Sequence, residues 1–193
     1  GMNILQIGVC DGVDHVFSFC EENQRSLKKV ILVEPVPAAM IKVREQYKDI
    51  PNCRFVEAAA VYLEDSNTVD IYVPTNEEVS GHSSLIKGHV FRHLHPEIKA
   101  ITVNALHVNS ILEKFNEEVI DRVYIDVEGL DVELISVIDF NRFKIPFLQF
   151  EAAHSDGTHK RGPKLRKLLS YLEGLGYCCS PEGEYDYTAI KPI

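Results

Sequence analysis

The chain has 193 residues, of which 45% are hydrophobic and 25% charged, and its formal net charge is -9. That length suits a single domain, 1–193, whose core needs no disulfide or metal staple, and the composition excludes a disordered or collagen-like chain. The acidic balance argues against a duplex-DNA partner, and no apolar run approaches the ~20 residues of a membrane span.

Taken in chain order, strands alternate with helices. Asn3–Ile7 reads as a buried strand, and Val13–Cys20 carries a helical apolar stripe at Val13, Val16, Phe17 and Cys20. Val30–Val33 is a second short strand ending at Glu34-Pro35. Pro37–Tyr47 reads as a helix that buries Met40, Ile41 and Tyr47. Cys53–Val56 is a third strand, with Thr68–Val73 as its extension. A stretch without clear periodicity, about 74–100, is too long for a routine connection and is expected to be a functional flap. Ile101–Val108 alternates, and Asn109–Phe115 is a short helix with an Asn or Ser cap. Arg122–Val127, Asp131–Ile138 and Phe147–Phe150 continue as strand, helix and strand. Gly162–Leu175 is an amphipathic helix with Pro163 near its start. Tyr177–Cys179 and Tyr185–Ile190 close the chain around the turn Pro181-Glu182-Gly183-Glu184. The alternation predicts an α/β fold with a mostly parallel sheet and helices on both faces; two strands joined by a short turn make its end an antiparallel hairpin.

The first strand runs into Gln6-Ile7-Gly8-Val9-Cys10-Asp11-Gly12 and then a helix. Such a turn lets a ligand lie against bare backbone near a helix N-terminus. The spacing is G-x-x-x-G, and the dinucleotide fingerprint G-x-G-x-x-G is absent because Cys10 stands at its second glycine. Glu34 ends the second strand 22 residues after Gly12, where an acidic side chain can accept two hydrogen bonds from a ribose. Turn, strand and acid together point to a nucleoside pocket.

These residues carry a resemblance. Ile4–Gly12, Val33-Glu34-Pro35-Val36-Pro37, Glu57-Ala58-Ala59-Ala60-Val61, Ser83-Ser84-Leu85, Val123–Asp131 and Phe147-Leu148-Gln149-Phe150-Glu151 resemble, in order, the motifs of FkbM-type methyltransferases that use S-adenosyl-L-methionine (SAM). The resemblance implies a Rossmann-like class I methyltransferase fold, SAM as methyl donor and a hydroxyl oxygen as acceptor. It places Gln6, Gly8, Asp11, Gly12, Glu34, Pro35, Ala58, Ser84 and Asp126 at the cofactor. Gln6 departs from the acidic residue the family often has there. A Gln cannot pair with the SAM ammonium as a carboxylate would. Gly8 is expected to press its backbone against the methionine part of SAM, so that Val there would abolish binding and spare the fold.

Methyl transfer to a hydroxyl needs alignment, exclusion of water and a proton acceptor. Asp126 ends a core strand at the carboxyl edge, and Glu128 lies two residues on; they are expected to face the SAM amine and the acceptor respectively. Glu151 ends the next strand, with His154 three residues later, and this pair offers a second base. A carboxylate of ordinary pKa gives a flat rate between pH 6 and 9, whereas a His makes the rate rise around pH 6.5. The flap holds His82, His89, His93 and His95. His89 and His93 have a zinc-like spacing, but no third ligand follows from the sequence, so no metal is expected. Lys160, Arg161, Lys164, Arg166 and Lys167 read as the solvated face of a helix or as a dock for an acidic acceptor.

Cys10, Cys20, Cys53, Cys178 and Cys179 include no C-x-x-C, so no disulfide framework or zinc ribbon is written. The adjacent pair is expected as two thiols on opposite strand faces, the alternative being a vicinal disulfide. The sequence thus predicts a cytoplasmic SAM-dependent O-methyltransferase acting on a small molecule or glycan, with no nucleic-acid or membrane partner. The alternatives are a non-catalytic SAM- or nucleoside-binding module and an NAD-dependent oxidoreductase.

Overall fold

The computed structural model describes residues 1–63, 67–75, 81–92 and 97–192. Ten strands and six helices follow one another in the described residues. β1 (Met2–Ile7), α1 (His15–Glu22), β2 (Leu27–Val33), α2 (Pro37–Gln46) and β3 (Cys53–Val56) come first. β4 (Ala59–Val61), β5 (Thr68–Pro74), α3 (Lys87–Arg92), β6 (Ile98–His107) and α4 (Val108–Glu113) follow. β7 (Arg122–Ile125), α5 (Asp131–Ser136), β8 (Phe147–Glu151), α6 (Pro163–Gly174), β9 (Cys178–Glu182) and β10 (Asp186–Ile190) complete the chain.

The main sheet has seven strands in the order β3-β2-β1-β7-β8-β10-β9. The first five are parallel, and β10 runs antiparallel to both β8 and β9. This is the mostly parallel sheet with an antiparallel end that the alternation predicts. Successive side chains on each strand face opposite sides, so one strand feeds two cores. Ile4, Val30 and Leu32 pack with Val16 and Cys20 of α1 and Met40 and Val43 of α2. Leu5, Ile7, Ile31 and Val33 pack on the other face with Ile111, Leu134, Ile135 and Leu168 of α4, α5 and α6. Each such aliphatic side chain contributes about 1.5–3 kcal/mol when fully buried.

Several sequence expectations shift. α2 buries Ala39, Met40 and Val43 and leaves Ile41 exposed, because only the first three share the stripe that meets the sheet. β5 does not extend β3. It pairs antiparallel with β6, which runs parallel to β4, in a separate three-stranded sheet. α4 is capped by His107, whose ring accepts the Asn109 N–H, and not by Asn or Ser. Cys178 and Cys179 are free thiols. Among the described residues no helix is long and apolar enough to cross a membrane.

The register sets up the site. Ile7 pairs with Val33 and with Ile125, and Ile125 pairs with Phe150. The next residues, Gly8, Glu34, Asp126 and Glu151, therefore stand in one row at its carboxyl edge, where ligands bind open α/β sheets.

Candidate active site

Two adjoining cavities open along this row. The first, about 140 Å³, is lined by Gly8, Glu34, Pro35, Ala58, Ser84 and Glu128 among others. The second, about 210 Å³, is lined by Gln6, Asp14, His15, Gln149 and Asp186. Ile7, Gly8 and Asp126 border both. Neither alone reaches the ~300 Å³ of a small-molecule pocket, but the two lie side by side and their volumes together are of that order.

The side around Gly8 and Glu34 is built from backbone. Gly8 has φ +82, and a Cβ on it would stand 1.6 Å from the Asp126 carbonyl oxygen. Glycine is thus required there by the approach of β1 to the loop after β7, a contact within the protein; the sequence reading expected that contact to be with ligand. Glu34 is buried, and its two carboxylate oxygens accept the N–H groups of Cys10 and Val36, each at 2.9 Å. It ties the glycine turn to the start of α2 while lining the first cavity. Burial pushes its carboxyl up to about 7, against the backbone donors, which pull it down. Asp11 accepts the Val13 N–H and Gly12 packs toward the Tyr47 ring; neither lines the two cavities.

Gln6 is buried and its amide donates to Asp14 Oδ2 at 2.5 Å. The other Asp14 oxygen caps α1, accepting from Val16 and Phe17 at 2.9 Å. Asp14 thus brings a carboxylate to the wall of the cavity that Gln6 lines. The sequence reading missed Asp14, although an Asp before an apolar stripe is a recognisable cap.

The opposite side is built from side chains. Glu128 sits at φ +55, a left-handed backbone that costs a non-glycine residue about 1–3 kcal/mol. Its Oε2 lies 2.7 Å from Nε2 of His89, a buried residue of α3, and 3.8 Å from Nε2 of His154. The other His89 nitrogen bonds Thr158 Oγ1 at 3.0 Å. Burial pushes the Glu128 carboxyl up to about 7, with His82 and His159 pulling it down. Ser84 Oγ donates to the Glu128 carbonyl at 2.8 Å and accepts the Ile86 N–H, fastening the β5–β6 connection to this loop. Asp126 is open to the cleft; the protein packed around it and then the charges of Glu128 and Asp186 raise its carboxyl.

His154 is buried, and its Nδ1 accepts the His159 N–H at 2.8 Å. That contact fixes the tautomer: the neutral ring carries its proton on Nε2, which faces Glu151 Oε1 at 3.1 Å. Nε2 of the neutral ring then has no lone pair for a proton or a metal. Glu151 is buried, and burial followed by the surrounding carboxylates pushes it up to about 10. His89 reaches the site from the flap, as does Ser84; His93 and His95 lie outside the described residues. Lys164 pairs with Glu133 at 2.6 Å, and the Arg161 guanidinium donates to the Glu184 carbonyl, so two of the five basic residues have acidic or carbonyl partners.

The chain matches the family model "Methyltransferase FkbM domain" over residues 6–179. No curated protein matches its sequence. Among solved structures it is similar to the methyltransferase FkbM from Methylobacillus flagellatus, with a TM-score of 0.57 and 12% identity, covering 99% of this chain and 44% of that one. A candidate methyltransferase from Streptococcus mutans, solved in complex with SAH, gives a TM-score of 0.52 and 12% identity over 100% of this chain and 89% of that one. A fibrillarin/Nop5p complex gives 0.52 and 12% over 99% and 73%. These likenesses establish the fold, a class I methyltransferase sheet. On the family match over most of its length, the chain belongs to the FkbM methyltransferase family.

Proposed function

We propose that the protein is a SAM-dependent O-methyltransferase whose acceptor is a hydroxyl on a small molecule or glycan, working in the cytoplasm. SAM supplies a methyl group on a positively charged sulfur. The cleft suits its two ends. Glu34 offers remaining lone pairs to the ribose hydroxyls, and Pro35, Ala58 and Ser84 leave room for the flat base. Asp14, held by Gln6, is an anionic partner for the ammonium in the second cavity.

The observation that carries the reading is Glu128. It lines the cavity of Gly8 and Glu34, it is held by His89 at 2.7 Å, and its carboxyl stands at about 7. A base poised near the working pH is what a hydroxyl acceptor needs, because its proton must leave as the oxygen takes the methyl group. His154, with its proton on Nε2 and that atom 3.1 Å from Glu151 Oε1, is not the base in this reading. The net charge of -9 favours a neutral or cationic acceptor over a nucleic acid.

The test is turnover. The protein is incubated with SAM and a panel of hydroxylated small molecules and glycans, and SAH formation and product mass are followed. Methylated oxygen in at least one acceptor is expected. SAH binding without turnover on any acceptor would replace this reading with a non-catalytic SAM-binding module.

A further inference from the structure

Among the described residues two groups of metal-ligand atoms come together: His89, Glu128 and His154, and separately Asp126, Asp131 and Glu151. One hydrogen bond chooses between them. A histidine that binds metal through Nε2 donates its Nδ1 proton to an acceptor. His154 does the reverse, accepting the His159 N–H at Nδ1. Its Nε2 therefore presents a proton, and the first group lacks a ligand.

We propose that Asp126, Asp131 and Glu151 bind a divalent cation of the oxygen-ligated class, Mg²⁺, Ca²⁺ or Mn²⁺, between the ends of β7 and β8. One oxygen from each residue lies within 4.8 Å of the others. Opposite ligands on such cations are about 4–5 Å apart, so a single ion can touch all three. Glu151 is only 9% exposed, and its Oε2 has no hydrogen-bond partner. Neither charge state repairs that: a carboxylate there lacks a donor and a carboxylic acid lacks an acceptor. A cation satisfies it. His154 Nε2 stands 3.1 Å from Oε1, so the imidazole edge lies beside the ligating carboxylate.

Asp131 is 2% exposed, and its two oxygens each receive one backbone N–H, from Val127 and Gly129, at 3.3 Å. Lone pairs remain on both. Asp126 opens to the cleft and gives the ion a path in. Among the described residues no lysine or arginine forms a salt bridge with any of the three. The site leaves Asp14 and Gln6 for the SAM ammonium. Under the methyl-transfer reading, on which this role rests, the ion's remaining positions face the cleft and take the acceptor oxygen, easing loss of its proton.

The experiment uses the full chain stripped with chelator and titrated with Mn²⁺, free metal being read by electron paramagnetic resonance. One Mn²⁺ per chain is expected, displaced by Mg²⁺ or Ca²⁺ and retained with saturating SAH. Glu151→Gln keeps the shape and removes the charge, and should weaken binding about tenfold or more, since affinity follows ligand charge. Asp126→Asn, at an open position, should weaken it likewise and serves if the buried variant does not fold. No stoichiometric binding at about 1 mM Mn²⁺, the weak limit for protein sites, would overturn the proposal. So would unchanged affinity in the folded variants, or displacement by SAH, which would give the acidic row to the cofactor. The titration needs neither methyl donor nor acceptor, so its failure is distinct from failure of the turnover assay.

Discussion

The two sides of the cleft are held by different physics. Around Gly8 and Glu34 the geometry comes from main chain: a glycine against a carbonyl, and a carboxylate spanning two backbone N–H groups. Around Glu128 and Glu151 it comes from side chains of four separate segments: the loop after β7, the end of β8, α3 and the loop 154–159. A main-chain frame tolerates little change, and what it recognises is whatever fits its shape. A side-chain cluster can be altered residue by residue without loss of the sheet. Mutations on the first side should therefore move stability and cofactor affinity together, while those on the second should separate rate from affinity.

The largest effect belongs to Gly8. A Cβ 1.6 Å from the Asp126 carbonyl cannot be accommodated, and φ +82 is strained for any other residue. Gly8→Val, and Gly8→Ala nearly as much, should cost at least about 3 kcal/mol of stability by urea denaturation. Wild-type stability in Gly8→Ala would mean that the turn relaxes freely and the main-chain frame is not rigid.

On the other side, Glu128→Gln should lower the methyl-transfer rate about 10²–10⁴-fold on any acceptor that turns over, with SAH affinity nearly retained. The carboxylate is the active form. With its pKa at about 7, the wild-type rate should climb between about pH 6 and 8 and level off above, in place of the flat profile of an ordinary carboxylate. His154→Asn removes a proton that is already on Nε2, so its effect should stay within about tenfold. A larger loss there than in Glu128→Gln would exchange the two roles.

This contrast also governs what could be read from the sequence. Gly8, Glu34, Asp126 and Glu151 were legible because each directly follows a short apolar strand, and parallel strands of similar length bring their ends level. His89 and Thr158 are 69 residues apart, and nothing local in either segment marks the contact. Asp131 opens a predicted helix and nothing local marks it as buried, yet its oxygens lie on the Val127 and Gly129 N–H groups away from solvent. The alternation of Thr68–Val73 was visible, but alternation states that one face is buried and does not name the partner strand, which proved to be β6. The tautomer of His154 depends on a backbone N–H five residues on, in a loop where His159 takes a left-handed φ of +52.

Glu34 should couple affinity and stability. Glu34→Ala should weaken SAH binding by about 1.5–3 kcal/mol in calorimetry and also destabilise the protein, since Cys10 and Val36 lose their acceptor. Glu34→Gln separates the charge from the shape. Folding raises this carboxyl from its ordinary value near 4.3 to about 7, so the folded state favours the protonated form. The wild-type contribution is full below about pH 4.3 and is lost as pH rises through 7. Between pH 5 and 8 the Gln variant should gain about 1 kcal/mol or more relative to wild type in denaturation, while its SAH affinity stays reduced. A constant stability difference across that range would mean the charge is stabilised by its two backbone donors after all.

The smallest change tests the bolt between the two sides. Ser84 is 1% exposed, donates to the Glu128 carbonyl at 2.8 Å and accepts from the Ile86 N–H at 3.0 Å. Ser84→Ala removes both bonds and leaves the methylene in place, so it should cost about 1 kcal/mol of stability. Its informative readout is elsewhere. Ser84 also lines the cavity of Gly8 and Glu34, and losing the bolt frees the β5–β6 connection from the loop that carries Glu128. If that connection holds Glu128 in its left-handed backbone, the methyl-transfer rate should fall severalfold while SAH affinity changes by less than about twofold. If it instead closes over bound cofactor, SAH dissociation should quicken and the single-turnover rate should hold. The register of strain at Glu128 favours the first result: a residue at φ +55 needs its carbonyl fixed, and Ser84 is the side chain that fixes it.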